Sequence, residues 1–197
     1  MKLSVIIPVY NQEKLIIRAL ESIPQNDDIE IIIVDDGSTD NTWKVIQEYK
    51  DERIKAFHFP KNRGVSAARN CALDNAIGEY VVMLDSDDYF FTDGFNEVYN
   101  QLDGTDLIYY NLMRNKEIVW KITIDNRRRL CGTVKFMRRD FIGDTRYPEK
   151  MKNGGEDRVF NDALLDKCPT EKFTNVLVLR YNYPRRGSLN WKYKGKK

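Results

Sequence analysis

Strand-length apolar blocks alternate with helically spaced ones along the first half of the chain. Blocks over 3–9, 29–34, 54–59 and 80–84 are short and rich in β-branched or aromatic residues, the pattern of strands in a covered sheet. Between them the apolar positions recur at helical spacing. Leu15, Ile16, Ala19, Leu20 and Ile23 precede the stop at Pro24, a second helix covers 42–49, and Ala67, Ala68, Cys71, Ala72 and Ala76 precede Gly78. Asn11 is placed to cap the first helix and Ser66 the third. The small side chains of the third helix predict close packing on the sheet. Regular alternation of strand and helix predicts an α/β fold with a mostly parallel sheet flanked by helices.

The second half is less regular. The pattern predicts a helix over 95–102, strands over 106–113 and 117–124 that could pair antiparallel, and a short helix over 134–141. A clearer helix covers 156–165, and a strand or extended segment covers 176–183. No repeat and no Gly-, Ser- or Pro-rich linker interrupts the chain, so one domain over 1–197 with an irregular C-terminal portion is the economical expectation.

Composition narrows the class. Of 197 residues, 42% are hydrophobic and 31% charged, a globular mix, and the net charge of +2 is too small to argue for nucleic acid. No apolar run approaches the roughly 20 residues a membrane helix needs, and the opening segment reads as a strand rather than a leader. Cys71, Cys131 and Cys168 are widely spaced and form no CxxC pair. That usage fits reduced thiols in a cytoplasmic protein and no zinc site.

The chemistry concentrates where strands end. Tyr80-Val81-Val82-Met83-Leu84 runs directly into Asp85-Ser86-Asp87-Asp88, three carboxylates in four residues. Like charges that close repel, and a cation or an active site offsets the strain. Pro8-Val9-Tyr10-Asn11 and Asp35-Asp36-Gly37-Ser38 also follow strands. In a parallel sheet all three turns share one edge, where ligands bind. An aromatic ring, an Asp that can accept hydrogen bonds from a base, and an acidic turn for a metal together suit a nucleoside diphosphate.

These residues resemble family 2 glycosyltransferases of bacterial or phage type. The resemblance is carried by Pro-Val-Tyr-Asn, by Val34-Asp35-Asp36-Gly37-Ser38-Thr39-Asp40, by Asn62-Arg63-Gly64 through Ala68-Arg69-Asn70, and by Gly78-Glu79-Tyr80 through Asp88, in that order. Arg138-Arg139-Asp140-Phe141-Ile142 through Arg146-Tyr147-Pro148, then Gly155-Glu156-Asp157 and Phe160, resembles the acceptor-side region of bacterial members. Tyr181-Asn182-Tyr183 with Arg185, Gly187 and Ser188 resembles the segment after it. The resemblance implies a GT-A-like fold with a nucleotide-binding half over 1–90 and an acceptor-side half over 91–197.

It implies roles as well. Pro8, Val9 and Tyr10 would wall the nucleobase and Asp36 would bind its imide. Arg69 would approach the base or the diphosphate, and Ser86 would belong to the donor site. Asp85 and Asp87 would form the DxD element, with Asp87 ligating Mn²⁺ or Mg²⁺ and Asp85 holding the ribose or a metal-bound water. Asp88 would support the ion from behind or begin the next turn. Asp157 would be the catalytic base, taking the proton from an acceptor hydroxyl in an inverting transfer. Glu13 reads either as a nucleotide contact or as a first-turn acid favoured by the helix dipole. The donor would be a nucleotide sugar, UDP-linked by expectation, and the acceptor a glycan, a lipid-linked glycan or another hydroxyl.

Other residues have plainer readings. His58, the only histidine, reads as structural and away from the strand-end turns. Arg127-Arg128-Arg129 reads as a solvated loop or as a contact for an anionic acceptor. The tail Trp191-Lys192-Tyr193-Lys194-Gly195-Lys196-Lys197 reads as frayed, with weak contact to a membrane surface as the other option.

Rival classes lack their marks. A dinucleotide oxidoreductase needs GxGxxG after the first strand. A haloacid dehalogenase-type phosphatase carries its Asp pair near the start, followed by Thr or Val. A sugar nucleotidyltransferase opens on a Gly-rich loop with Arg. The rival of a different kind is a non-catalytic nucleotide-sugar-binding module, which has no need of the acids at 156 and 157.

Overall fold

Both faces of β1 (Leu3–Val9) are covered, and every one of its residues is buried. In this computed structural model, which describes residues 1–114, 118–129, 132–151 and 155–182, β1 is the first half's central strand. β2 (Ile29–Asp35) and β4 (Tyr80–Met83) pair with it in parallel, and β3 (Ile54–His58) pairs in parallel with β2. Val9 lies opposite Asp35, and Asp35 opposite His58, so these strands end together. Helices α1 (Ile16–Glu21), α2 (Thr42–Glu48) and α3 (Val65–Asn75) make the connections. Ala67, Ala68 and Ala72 are buried where α3 packs on β1 and β2, as their size predicts.

The second half joins the same sheet through antiparallel partners. Its elements are β5 (Tyr89–Phe90), α4 (Thr92–Tyr99), β6 (Leu107–Arg114), β7 (Ile118–Trp120), β8 (Lys135–Arg138), α5 (Arg139–Ile142), α6 (Glu156–Leu165) and β9 (Glu171–Tyr181). The strand order is β3-β2-β1-β4-β8-β6-β9-β5, with β7 on β6. The parallel ladders are the long ones, and each antiparallel ladder runs two or three residue pairs.

Several expectations are corrected. Residues 134–141 are not one helix: β8 occupies their middle as a central strand, and only α5 is helical. Asn11 does not cap α1, which starts after Leu15. Its φ is 53° and its Oδ1 accepts the Thr39 N–H at 2.8 Å. Ser66 lies inside α3, whose N-cap is Gly64. The two-residue β5 was not anticipated, because so short a strand leaves no period. The segment from Tyr183 to the C-terminus, with Arg185, Gly187, Ser188 and the aromatic–cationic tail, lies outside the described residues.

Candidate active site

The ends of β1 and β2 are stitched into one rim. The Asn11 N–H donates to Ser38 Oγ at 2.9 Å, and the Gln12 N–H to Thr42 Oγ1 at 2.7 Å. Glu13 precedes α1 rather than lying inside it. Its Oε2 accepts the Asn41 N–H at 3.1 Å and the Asn41 Nδ2–H at 3.0 Å, tying one carboxylate oxygen to the start of α2. Pro8 and Val9 are buried in β1, whereas Tyr10 is 42% exposed at the rim.

Asp36 is 3% exposed. Its Oδ1 accepts the Arg63 N–H at 2.6 Å and its Oδ2 the Gly64 N–H at 2.8 Å, fixing the turn that leads into α3. Burial pushes its pKa up, and the two backbone bonds offset only part of that. Gly37 makes the close approach feasible: at φ +69°, a Cβ there would sit 2.5 Å from the Lys61 carbonyl carbon.

Asp35 is wholly buried and tied to Ser38 Oγ, and its Oδ2 lies 2.7 Å from His58 Nδ1. His58 therefore stands at the strand-end rim, contrary to the expectation that placed it away from it. Trp43 covers the imidazole at 5.0 Å. Parallel register explains the error, since His58 ends β3 directly beside Asp35.

The acidic turn follows β4. The Asp88 N–H donates to the Asp85 carbonyl at 2.9 Å, closing the turn. Arg18 of α1 holds it from below, donating from Nη2 to the Asp87 carbonyl at 2.6 Å with its guanidinium 4.9 Å from the Tyr89 ring. Asp88 is buried. Its Oδ1 accepts the Asn182 N–H at 2.8 Å, and its Oδ2 has no hydrogen-bond partner among the described residues. Burial, then the charges of Asp85 and Asp87, raise the Asp88 pKa well above the ordinary carboxylate value. Burial also raises that of Asp85, with Arg69 opposing and Asp87 and Asp157 adding to the rise.

Arg69 joins this turn to the far half of the chain. Its side chain is 4% exposed. Nη2 donates to Asp85 Oδ1 at 3.0 Å, and Nη1 to Asp157 Oδ1 at 2.9 Å. Glu156 Oε1 stands 3.9 Å from Nη1. Burial works against the guanidinium charge, yet Asp157 and Asp85 outweigh it, and the Arg69 pKa is raised. Asp157 and Glu156 open α6 behind Gly155, where the helix dipole favours acids.

Sequence reasoning selected Arg69, Asp85 and Asp157, and the fold brings them together. Tyr10, Asp36 and Ser86 lie on the same strand-end edge, and Glu13 lies beside it with one carboxylate oxygen on Asn41. Four residues around these acids went unassigned: Arg18, Tyr147, whose ring faces the Arg69 guanidinium, Asn70, whose amide bonds the Tyr147 backbone, and Gly132, where a Cβ would meet Tyr147 Oη and Asp157 Oδ1. Asn70 and Tyr147 stood within the quoted motifs, but a buried amide and a buried ring look like core in sequence. Arg127 and Arg128 are ion-paired with Glu171 and Asp162, at 2.7 and 3.0 Å.

Among the described residues, no three His, Cys, Asp or Glu side chains form a cage for a metal by themselves. A hard cation that shares its coordination with phosphate oxygens needs only one or two carboxylates. The crowded acids of this turn, with one buried oxygen that has no partner among the described residues, fit such a cation.

Comparison with known proteins gives concordant matches. The profile of the family described as Glycosyl transferase family 2 matches residues 4–178. An uncharacterized glycosyltransferase of Rickettsia felis is 50% identical over 95 residues, which are 47% of this chain and 16% of that protein. Poly(ribitol-phosphate) beta-N-acetylglucosaminyltransferase TarS of Staphylococcus aureus (strain MW2) is 30% identical over 182 residues, 81% of this chain and 32% of TarS. The crystal structure of S. aureus TarS 1–349 in complex with UDP-GlcNAc aligns with TM-score 0.84 and 26% identity, covering 96% of this chain and 61% of that one. The chain thus spans well under half the length of both relatives and about three fifths of the solved structure. Among the described residues, no helix is long and apolar enough to cross a membrane.

Proposed function

This chain belongs to glycosyl transferase family 2, and from that premise we propose that it moves a sugar from a nucleotide-diphosphate donor to a hydroxyl acceptor, with inversion at the anomeric carbon. Its α/β sheet and flanking helices have the GT-A-like arrangement of its solved relatives. The observation that carries the reading is the buried Arg69, whose one guanidinium reaches both Asp85 and Asp157. It sets a carboxylate suited to proton transfer beside the turn suited to the diphosphate.

Tyr10 and Asp36 receive the nucleobase at the rim of β1 and β2. Ser86 lines the donor site, and Asp85 and Asp87 face the ribose and diphosphate. A divalent ion, Mg²⁺ or Mn²⁺, held by Asp87 and Asp85 with the donor's phosphate oxygens would supply positive charge against the departing diphosphate. Asp157 keeps Oδ1 on Arg69 and offers Oδ2 to the acceptor hydroxyl. Oδ2 takes the proton as the acceptor oxygen bonds to the anomeric carbon, and the nucleoside diphosphate leaves with the electron pair of the broken bond. The UDP-GlcNAc complex of TarS supports a UDP-linked donor.

Thermal shift with UDP-glucose, UDP-GlcNAc and GDP-mannose, each with and without Mn²⁺, tests the reading. A ligand at about 100 times its Kd adds about 2.7 kcal/mol to stability. One donor is expected to stabilise the protein in a metal-dependent way, and Asp87→Ala is expected to lose that response. A response to NAD alone would overturn the assignment. Metal-dependent donor binding with no sugar transferred to any acceptor or to water, and so no nucleotide released, would leave the non-catalytic binding module.

A further inference from the structure

We propose that Tyr147 is a positioning residue for this transfer, its ring holding the Arg69 guanidinium in the orientation that reaches Asp85 and Asp157 together. The inference rests on the glycosyltransferase reading for its consequence, but its geometry stands alone. Arg69 is buried, and its two terminal nitrogens are spent on the two carboxylates. Its Nε is buried without a hydrogen-bond partner among the described residues. A guanidinium is planar, and nothing polar at Nε fixes the tilt of that plane. The Tyr147 ring lies 5.1 Å from Arg69 Cζ and supplies an aromatic face for the cation.

Tyr147 is itself fixed from two sides. Its backbone N–H donates to Asn70 Oδ1 at 2.8 Å, and its carbonyl accepts from Asn70 Nδ2 at 2.9 Å. Asn70 is the neighbour of Arg69 on α3, so one turn of helix sets both the cation and the ring. The ring also stacks on Phe160 of α6, with centroids 3.9 Å apart and planes 8° from parallel. Phe160 lies one turn along from Asp157 on α6. Tyr147 is therefore a spacer between the helix that carries the cation and the helix that carries the base. Loss of the ring face frees the guanidinium plane, and Asp157 loses its fixed partner.

Tyr147→Phe and Tyr147→Leu separate positioning from packing, because Phe keeps the face and Leu fills much of the space without it. The Arg69 Nε–H resonance, resolved by ¹⁵N NMR, reports the ring current directly and needs no activity. It is expected to stay in place in the Phe variant and to move in the Leu variant. With the donor identified by thermal shift, Tyr147→Leu is expected to lose roughly 10- to 100-fold in kcat, the scale of a misplaced catalytic group. The donor KM should change far less, and Tyr147→Phe should stay near wild type.

Equal kcat in the two variants, or an Arg69 resonance indifferent to both, would overturn the proposal. Should Tyr147→Leu fail to fold, Arg69→Lys tests the same link, since an ammonium has neither the planar fork that meets the two carboxylates nor the flat face that the Tyr147 ring orients. A wild-type kcat in that variant would likewise overturn it. A wild-type protein that releases no nucleotide from any donor refutes the transferase reading instead, and the Arg69 resonance still decides whether the ring holds the cation.

Discussion

Asp157 has one oxygen engaged and one to offer, and that division makes its substitution informative. Asp157→Asn keeps a carbonyl oxygen that can accept from Arg69 Nη1, so the bridge to Asp85 has a way to survive. What it removes is the capacity to take a proton. Turnover is expected to fall by roughly two to four decades, the usual worth of a positioned general base, with the donor Kd near normal by calorimetry. Transfer at the wild-type rate would refute the base assignment. Gly132 offers a gentler probe of the same carboxylate. A Cβ there would sit 2.7 Å from Tyr147 Oη and 3.0 Å from Asp157 Oδ1, too close for either to stay put. Gly132→Ala is expected to lower kcat up to roughly 100-fold, and steady-state kinetics on the folded variant would show it. An unchanged kcat would mean that this corner has room to relax.

At the level of elements, β8 shows what pattern reasoning reads and what it misses. The first-half strands were legible as short apolar blocks, and their helices, together with α6, by helical spacing. β8 is a four-residue strand between β4 and β6 whose block is broken by the buried Lys135 and by Arg138. The Lys135 ammonium donates to Asn161 Oδ1 of α6 at 2.6 Å and lies 6.0 Å from the Tyr109 ring. In sequence that lysine breaks the strand pattern, and its partner is 26 residues away. The acids of the candidate site were legible as types at strand and helix ends. Their junction was not, since Arg69 reaches across 16 residues to Asp85 and 88 to Asp157. Asn161→Ala removes an acceptor from a buried cation. It is expected to cost about 1–3 kcal/mol, read as a lower urea midpoint at constant slope. A change within error would mean that the ammonium finds an equivalent acceptor.

Across the whole molecule the two ends of the parallel strands are built on opposite terms. The C-terminal ends gather carboxylates whose pKa values burial and mutual repulsion raise. The N-terminal ends carry Glu30, also buried, with both carboxylate oxygens engaged and a cation among the partners. It accepts from Ser4 Oγ at 2.5 Å, Lys55 Nζ at 2.8 Å, and the Ile77 and Gly78 N–H groups at 2.7 and 3.1 Å. Burial alone would raise its pKa, but Lys55, Ser4 and Ile77 outweigh burial and hold it below the ordinary value of 4.5. A carboxyl whose folded pKa is depressed binds fewer protons folded than unfolded. Its contribution is therefore complete above about pH 4.5 and is lost as the pH falls through the lower folded value. Glu30→Gln turns an amide N–H₂ toward donors and is expected to lower stability at pH 7 by about 1–3 kcal/mol. It should also flatten the loss of stability between neutral and acid pH. Donor affinity should be unaffected, because this cluster lies at the opposite end of the strands from the acidic turn. Chemical denaturation at pH 7 and pH 4, with donor calorimetry at pH 7, measures all three. A variant that kept the wild-type acid slope would show that Glu30 does not govern it.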